Sequence, residues 1–178
     1  TNGTLTVCGS NNLVDLFSGL GGTPQPGGTW VDISGTSALT GQFFNATLVQ
    51  PGTYTFRYEL SGSVSCAADQ ALVSVTVVAP RRAGISGSAP ACSNGASFAL
   101  FGFLTGNPET GGTWSNGTGM YDPATNSSGV FTYTLAGTTP CPNAISTVTV
   151  AEVAAPNAGT SSATTVCSND GPFNMTLR

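Results

Sequence analysis

The 178-residue sequence contains no histidine and no lysine, and these absences exclude the commonest forms of covalent catalysis. Without histidine the chain has no Ser-His or Cys-His nucleophile pair, and without lysine it can form neither a Schiff base nor a Lys–Asn isopeptide bond. Its eight Asp and Glu residues are scattered, and none keeps its place as an acid in both halves of the chain. We therefore expect a protein that is not an enzyme and that uses no cofactor.

Charge is also scarce, because Asp, Glu, Lys and Arg make up only 7% of the chain, where about 25% is typical. The net charge of −4 argues against a nucleic-acid partner, since nothing here could neutralise a run of phosphates. No apolar run approaches the roughly 18 residues of a membrane-spanning helix, so we expect no membrane span in this segment. No Asp-rich loop or Cys-x-x-Cys pair marks a metal site. Calcium bound between domains by oxygen ligands is the metal hypothesis left open.

The most informative feature that is present is an internal repeat. The interval from Cys8 to Trp30 equals the interval from Cys92 to Trp114, and Gly-Gly-Thr stands directly before each tryptophan. Likewise, Cys66 precedes Cys92 by the same interval as Cys141 precedes Cys167. The period is therefore about 80 residues, and such a period predicts an array of small units. We place a first repeat at 1–82, a second at 83–157, and the start of a third, truncated repeat at 158–178.

Short alternating runs separated by Gly and Pro predict β-strands rather than helices. The clearest run contains Tyr54, Phe56 and Tyr58, which alternate with polar residues. About six or seven such runs in each unit predict tandem immunoglobulin-like antiparallel β-sandwich domains. The predicted strands of the first unit are Thr4–Val7, Leu13–Ser18, Thr29–Ile33, Gly41–Phe44, Thr53–Leu60 and Ala71–Val78, and those of the second unit are Ser97–Phe103, Gly112–Ser115, Val130–Leu135 and Ser146–Val150.

Alignment of the two units places their length differences in loops. Gly52 aligns with Gly129, which makes the second unit seven residues shorter after its tryptophan, and two further residues are missing before Cys141. Loops tolerate such deletions better than strands do. The linkers at 79–84 and 155–159 are short and contain Pro, so we expect neighbouring repeats to contact each other.

Five cysteines in a chain with so few charges favour an oxidising, extracellular setting. Cys8 and Cys92 precede the second strand of their units, and Cys66 and Cys141 lie in the turn before the last strand. We therefore predict one intradomain disulfide in each unit, Cys8–Cys66 and Cys92–Cys141. A Cys66–Cys92 bond across the linker is the alternative. Cys167 is expected to pair outside this segment.

Four aromatic residues are predicted to belong to the cores. Trp30 and Trp114 each follow a Gly-Gly-Thr turn at a strand entrance, where immunoglobulin-like sandwiches pack a core tryptophan; an exposed sugar-binding platform is the alternative. Tyr54 follows Pro-Gly-Thr, which predicts a tyrosine corner whose hydroxyl bonds the backbone. The alignment puts Phe131 at the same place in the second unit, so we expect the hydroxyl to be dispensable and to carry no chemistry.

These motifs occur in the same order in both units: Cys8, Gly27–Trp30, Phe44, Pro51–Phe56, Cys66 and Val73–Val77 in the first, and Cys92, Gly111–Trp114, Tyr121–Pro123, Gly129–Tyr133, Cys141 and Val148–Val150 in the second. The pattern resembles the immunoglobulin-like or PKD-like repeats of very large Bacteroidota surface proteins, such as the SprB-type gliding-motility adhesins. The resemblance covers both full units and the opening of the third. It implies export by the type IX system and display as a cell-surface filament, and it carries no catalytic or ligand residues.

We therefore expect a structural and adhesive segment of a long extracellular filament at the cell surface. Its expected partners are neighbouring repeats of the same chain, other filament subunits and surface polysaccharide. The alternative is a carbohydrate-binding module of a secreted multidomain protein, and exposed tryptophans would favour that alternative.

Overall fold

The computed structural model describes residues 1–161, 163, 165, 167–169 and 171. Within these residues the fold is all-β and contains two groups of strands, which we name the N-terminal group and the C-terminal group. The N-terminal group consists of β1 Gly3–Cys8, β2 Val14–Asp15, β3 Thr29–Asp32, β4 Leu39–Thr40, β5 Phe43–Phe44, β6 Gly52–Leu60 and β7 Asp69–Val78. The C-terminal group consists of β8 Gly87–Cys92, β9 Phe98–Ala99, β10 Thr113–Trp114, β11 Met120–Tyr121, β12 Gly129–Leu135 and β13 Ala144–Val153.

Each group contains a four-stranded sheet with the same strand order. The order is β1-β7-β6-β3 in the N-terminal group and β8-β13-β12-β10 in the C-terminal group. Both sheets are antiparallel except at one edge, where β1 runs parallel to β7 and β8 runs parallel to β13. The prediction of antiparallel sheets is wrong at these edges. A parallel pair requires a long crossover connection, and the remaining strands of each group provide it.

A smaller sheet covers one face of each large sheet. Its order is β2-β5-β4 in the N-terminal group, whereas β9 and β11 form a two-stranded sheet in the C-terminal group. The core lies between the sheets: the rings of Phe44 and Phe56 are 4.9 Å apart, and those of Tyr121 and Phe131 are 5.6 Å apart. This two-layer arrangement is consistent with a β-sandwich.

The long strands bury alternate residues, as the sequence pattern predicts. On β6, Phe56 and Tyr58 are buried, and on β7 the buried residues are Val73, Val75 and Val77. Alternation arises because successive side chains of a strand point to opposite faces. Each buried side chain of this size contributes about 1.5–3 kcal/mol, so these two strands supply much of the N-terminal core.

The strand register defines which residues of the two groups are equivalent. Trp30 pairs with Tyr58, and Trp114 pairs with Tyr133. Trp30 and Trp114 are 84 residues apart in the sequence, whereas Tyr58 and Tyr133 are 75 residues apart. Nine residues are therefore missing from the C-terminal group between these two points, and most of them are missing from the region where the N-terminal group forms β4.

This register corrects the sequence alignment. Phe56 pairs with Val73 on β7, and Phe131 pairs with Val148 on β13, so Phe131 corresponds to Phe56 and not to Tyr54. The alignment of Gly52 with Gly129 is wrong by two residues. The alignment matched Gly52-Thr53 with Gly129-Val130, but β6 starts two residues earlier relative to its core aromatics than β12 does. The burial of the aromatic residues, and not the position of the glycines, sets the register.

The second predicted strand of each group is shorter than expected. It ends after two residues and continues as a 3₁₀ helix, Leu16–Gly19 or Leu100–Phe103, and a third 3₁₀ helix spans Ala46–Leu48. The first of these helices is capped by Asp15, whose side chain accepts the N–H of Phe17 at 3.0 Å. In both equivalent helices the tight turn places the first leucine fully inside the core.

About half of the residues in the predicted start of a third repeat at 158–178 lie outside the described residues. The described part of it forms neither helix nor strand.

Candidate functional site: the junction between the strand groups

A disulfide bond joins the two strand groups. It links Cys8 to Cys141, whose Cα atoms are 4.8 Å apart. The predicted intradomain pairs Cys8–Cys66 and Cys92–Cys141 are therefore wrong, and Cys66 and Cys92 are free thiols. The alternative Cys66–Cys92 bond is absent as well.

The length of a strand explains why the intradomain pairs do not form. Cys8 lies beside Val78, the last residue of β7, whereas Cys66 precedes the first residue of that strand. β7 contains ten residues and therefore rises about 33 Å. A disulfide needs Cα atoms within about 7 Å, so two cysteines at opposite ends of one group cannot bond. The turn before the last strand of the C-terminal group, by contrast, faces the end of β1.

Both sulfur atoms are shielded from solvent at this junction. Cys8 is 1% exposed and Cys141 is 7% exposed. Cys141 Sγ lies 3.5 Å from Val78 O, and Gly9 N–H donates to the same carbonyl at 2.8 Å. The bond therefore sits against the backbone of the strand that leads into the linker, and it fixes the end of one group to the turn of the next.

The linker itself is held against the C-terminal group by Glu109. Its Oε1 accepts the N–H of Arg82 at 2.9 Å, and its own N–H donates to Arg82 O at 2.8 Å. Its Oε2 also lies 3.0 Å from Arg81 Nη1. The ion pair is partly exposed and contributes little by itself. Together the contacts restrain the direction in which the chain leaves the N-terminal group.

The following linker residues continue this attachment. Ala83 is buried in the C-terminal core, and Gly84 O accepts the hydroxyl proton of Ser146 at 2.5 Å. Ile85 and Thr105 form an isolated β-bridge through two backbone hydrogen bonds. Gly84 has a φ of +86°, and a Cβ there would lie 2.7 Å from Thr105 O, so glycine is required for this close approach.

No sequence motif indicated the contacts that Glu109 makes with the linker. Glu109 stands where the first unit has Gln25, so it does not belong to the pattern that the two units share. Arg81 and Arg82 are the only adjacent basic residues of the chain, and a solvated linker was the expectation for them.

Each tryptophan lies at the edge of a core rather than at its centre. Trp30 and Trp114 are half-buried and pack against the core clusters. Their rings rest on Tyr58 and Tyr133, with centroid distances of 5.0 and 5.1 Å. One face of each indole is thus used for packing, while part of the ring remains in contact with solvent.

An open groove of about 750 Å³ lies beside Trp30. Phe17, Leu39 and Gln42 contribute to its walls, and Gln42 Nε2 donates to Asp15 Oδ1 at 2.9 Å. Leu39 belongs to β4, which has no counterpart among the described residues of the C-terminal group. The two tryptophans therefore have similar packing and different surroundings.

Tyr58 and Tyr133 connect the strand edge to the loop in front of each tryptophan. Tyr58 Oη accepts the N–H of Gly28 and donates to Gln25 O, both at 2.7 Å. Tyr133 makes the same pair of bonds to the equivalent loop, at 2.8 and 2.7 Å. Sequence reasoning placed Tyr58 on the inner face of its strand and missed this role. The signal was available, because the two tyrosines are separated by the same interval as Cys66 and Cys141.

The predicted tyrosine corner is present in the N-terminal group. Tyr54 lies near the start of β6, and its hydroxyl donates to Gln50 O at 2.7 Å. Its ring packs on Phe44 at 6.0 Å. The corner has no equivalent tyrosine in the C-terminal group, because Phe131 corresponds to Phe56, as the register requires.

Tyr121 is buried and its hydroxyl pairs with a carboxylate. Its hydroxyl donates to Glu152 Oε2 at 2.6 Å. This hydrogen bond, then burial and the negative charge of Glu152, raises the pKa of Tyr121 to about 12. The position corresponds to Phe44, since each pairs with the second strand of its group. The pair locks β11 to the end of β13.

No group of three or more His, Cys, Asp or Glu side chains suitable for a metal ion occurs in the described part of the chain, so the calcium hypothesis has no candidate ligand cluster there. No helix among these residues is long and apolar enough to cross a membrane. No protein-family model and no curated protein matches the sequence.

Proposed function

We propose that the two strand groups are tandem immunoglobulin-like repeats of a long extracellular filament, and that the chain has a structural and adhesive role rather than a catalytic one. The strand order supports the fold assignment. An immunoglobulin-like sandwich combines a sheet containing strands C, F and G with a sheet containing B, E and D. Here β3, β6 and β7 correspond to C, F and G, and β2, β5 and β4 correspond to B, E and D.

The Cys8–Cys141 bond is the observation that carries the proposal. A disulfide inside a repeat would stabilise that repeat alone, whereas this bond crosses the junction and resists separation of two successive repeats. Together with the contacts of Glu109 on the linker, it transmits force along the chain from one group to the next. These properties suit a filament that must keep its length and direction under load.

Adhesion at a cell surface, gliding motility and type IX secretion are parts of the proposal that depend on the sequence resemblance. In this account, neighbouring repeats are the principal partners, and surface polysaccharide or other filament subunits are bound through many weak contacts along the array. The weakly charged, hydroxyl-rich composition is compatible with such a surface. The cell exterior is the proposed location because a structural disulfide persists in an oxidising setting.

Small-angle scattering of the oxidised protein and of Cys8→Ser tests the structural role. We expect the oxidised protein to be an extended, rigid particle and the variant to sample bent arrangements, which broadens its distance distribution. Cys66→Ser is the matched control, because it removes a cysteine that forms no bond, and it should scatter like the unaltered protein. An oxidised protein in which the two groups pack side by side would contradict the filament role.

The groove beside Trp30 favours a second candidate function, carbohydrate binding. Half-exposed aromatic rings beside polar side chains are suited to sugars, and Gln42 and Thr29 supply hydrogen-bonding groups to the walls of this groove. Binding to a panel of bacterial polysaccharides should then be lost in Trp30→Ala and retained in Trp114→Ala, whose surroundings lack β4. Equal binding by both variants, or no binding by the unaltered protein, would remove this candidate.

A further inference from the structure

The groove beside Trp30 is formed by edge strands of both sheets of the N-terminal group. One wall is the start of β3, which carries Thr29 and Trp30, and another comes from β4 and the turn after it, which carry Leu39 and Gln42. Both β3 and β4 lie at the edge of their sheets, so the groove runs along an open side of the sandwich. Its volume of about 750 Å³ is in the usual range of ligand-binding clefts.

A difference between the loops that follow the two tryptophans opens this groove. In the C-terminal group the loop folds against the indole: Gly117 N–H donates to Trp114 O at 2.9 Å, and a Cβ on Gly119 would lie 2.5 Å from Trp114 Cδ1. The loop after Trp30 is longer and leaves space instead. A Cβ on Gly41, which lines the groove, would meet no atom within 4 Å.

The linker does not produce this difference between the tryptophans. In the C-terminal group the linker contacts Pro108 and Glu109, which precede the Gly-Gly-Thr turn. The glycine that packs on the indole of Trp114 belongs to the loop after the turn. The opening beside Trp30 is therefore a property of the loop that contains β4, in the interior of the chain.

Gln42 is positioned to form a hydrogen bond with a ligand in the groove. Its Nε2 donates to Asp15 Oδ1 at 2.9 Å, and the same oxygen accepts the N–H of Phe17 at 3.0 Å. These bonds fix the carboxamide of Gln42, while its Oε1 accepts no hydrogen bond from the described residues. Gln42 Oε1 and the hydroxyl of the exposed Thr29 can therefore bond the hydroxyl groups of a sugar.

The groove offers no positive charge to an acidic ligand. All the described residues that line it are uncharged, and the carboxylate of Asp15 is bonded directly to Gln42. Arg57 is the only arginine of the N-terminal group. It follows Phe56 on β6 and so lies on the opposite face from that buried ring, and its Nε is 2.6 Å from Glu59 Oε1. An anionic sugar would thus meet a carboxylate without a positive partner.

Trp30 supplies an apolar surface beside these polar groups. Part of its indole packs on Tyr58, and part faces the groove. The face of an aromatic ring is negative, so it attracts the weakly positive C–H groups of a sugar ring. Tyr58 adds its ring alone, because its hydroxyl is bonded to Gly28 and Gln25. The groove is therefore suited to a sugar that has a flat face of C–H groups.

We propose that the groove beside Trp30 binds uncharged polysaccharides whose sugar rings have a flat apolar face, such as β-glucans, and that it discriminates against acidic polysaccharides. Trp30 stacks on a sugar ring, Gln42 and Thr29 bond its hydroxyl groups, and Asp15 fixes Gln42 and repels anions. This sugar class rests on the carbohydrate-binding role proposed above for the same groove.

The first part of the test locates the site with single-tryptophan variants, since the chain contains two tryptophans. Trp114→Phe keeps Trp30 as the only reporter, and Trp30→Phe is the matched control that keeps Trp114. We expect hydroxyethyl cellulose, a soluble uncharged β-glucan derivative, to shift the emission of Trp30 to shorter wavelength and to protect it from acrylamide quenching. An equal response of Trp114 would overturn the proposal, because Trp114 has no such groove.

The second part measures the choice of sugar by affinity electrophoresis of the full chain. Hydroxyethyl cellulose is compared with carboxymethyl cellulose, which has the same backbone and a negative charge, at low ionic strength where repulsion is least screened. We expect the uncharged polymer to bind at least about ten times more tightly. Gln42→Ala, whose side chain is not part of the core, should weaken that binding about threefold or more.

The outcomes separate the sugar class from the carbohydrate-binding role. Equal or tighter binding of carboxymethyl cellulose would overturn the sugar class and leave the role standing. Failure of both cellulose derivatives to bind would also overturn the sugar class, whereas failure of every polysaccharide in the panel would remove the role itself.

Discussion

Cys66 and Cys141 occupy the same turn in the two strand groups, yet Cys66 is exposed as a free thiol and Cys141 is buried in a disulfide. The turns are built alike, since Cys141 N–H donates to Thr138 O at 2.8 Å as Cys66 N–H donates to Ser63 O at 3.3 Å. A nearby glycine precedes both turns. Cys141 meets the end of β1 of the N-terminal group, whereas Cys66 has no such partner among the described residues. The local sequence of the turn therefore does not decide whether its cysteine is bonded.

The largest expected effect on stability comes from removing the disulfide bond of Cys141. Cys8→Ser should lower the free energy of unfolding by about 4–5 kcal/mol, since the bond spans 133 residues and closes a long loop in the unfolded chain. Cys66→Ser should be close to neutral, because it removes an exposed thiol. Urea unfolding of the oxidised proteins measures both. Equal losses in the two variants would mean that Cys66 is bonded instead.

The second comparison concerns how much Trp30 and Trp114 contribute to the stability of the two cores. Trp30→Ala and Trp114→Ala should each cost about 2–3 kcal/mol, which is less than the roughly 3–5 kcal/mol of a fully buried aromatic residue, because both rings are half-buried. Replacement by Phe at each site is the milder control and should cost less than half as much. Thermal unfolding checks the similarity. A variant that unfolds like the unaltered protein would show that its indole does not support the core.

Tyr58 and Tyr133, which pack under these tryptophans, allow a comparison in which the expected loss of stability is smaller and the two sites are more alike. Tyr58→Phe and Tyr133→Phe each remove a hydroxyl that makes two hydrogen bonds to the adjacent loop. Each change should cost about 1–2 kcal/mol, and the two costs should agree. Amide hydrogen exchange at Gly28 or Gly112 should accelerate in the corresponding variant. A change in exchange at the other group's glycine would show that the two loops are coupled.

The smallest expected effect is the pH dependence of stability that Tyr121 causes. It is specific to the C-terminal group, because the equivalent residue of the N-terminal group is Phe44. The folded pKa of Tyr121, about 12, lies above the unfolded value of about 10, so its contribution is complete below about pH 10 and is lost as the pH rises towards about 12. Tyr121→Phe makes the position like Phe44 and should remove this alkaline loss. Urea unfolding between about pH 9 and about pH 11.5, with thiols blocked, measures it. An unchanged slope in the variant would assign the loss to other groups.

Strand alternation and the repeat allowed much of the fold to be predicted. The inward residues of β6 and β7 were identified because a period of two is a local property of the sequence. The short strands β4 and β11 and the parallel edge strand β8 were missed, since two-residue strands and a Pro-containing edge leave little periodic signal. The register between the groups was set two residues wrong by matching glycines rather than buried aromatics.

The disulfide pairing could not be obtained from equal placement of cysteines. Cys8 and Cys66 recur together in each repeat, and intradomain and interdomain bonding produce the same sequence pattern. The distance between Cys8 and Cys66 excludes the intradomain bond. This distance can be estimated only once Cys8 is placed beside the end of β7. An estimate of about 33 Å for a ten-residue strand would have excluded the intradomain bond.

Disulfide mapping decides whether the covalent bond joins the two strand groups. The oxidised protein is alkylated, digested without reductant and analysed by mass spectrometry for crosslinked peptides. We predict that Cys8 is joined to Cys141 within one chain and that Cys66 and Cys92 are recovered alkylated in the dilute monomer. Recovery of Cys8 joined to Cys66, with Cys92 joined to Cys141, would contradict this prediction, because each strand group would then be closed on itself and the junction would carry no bond.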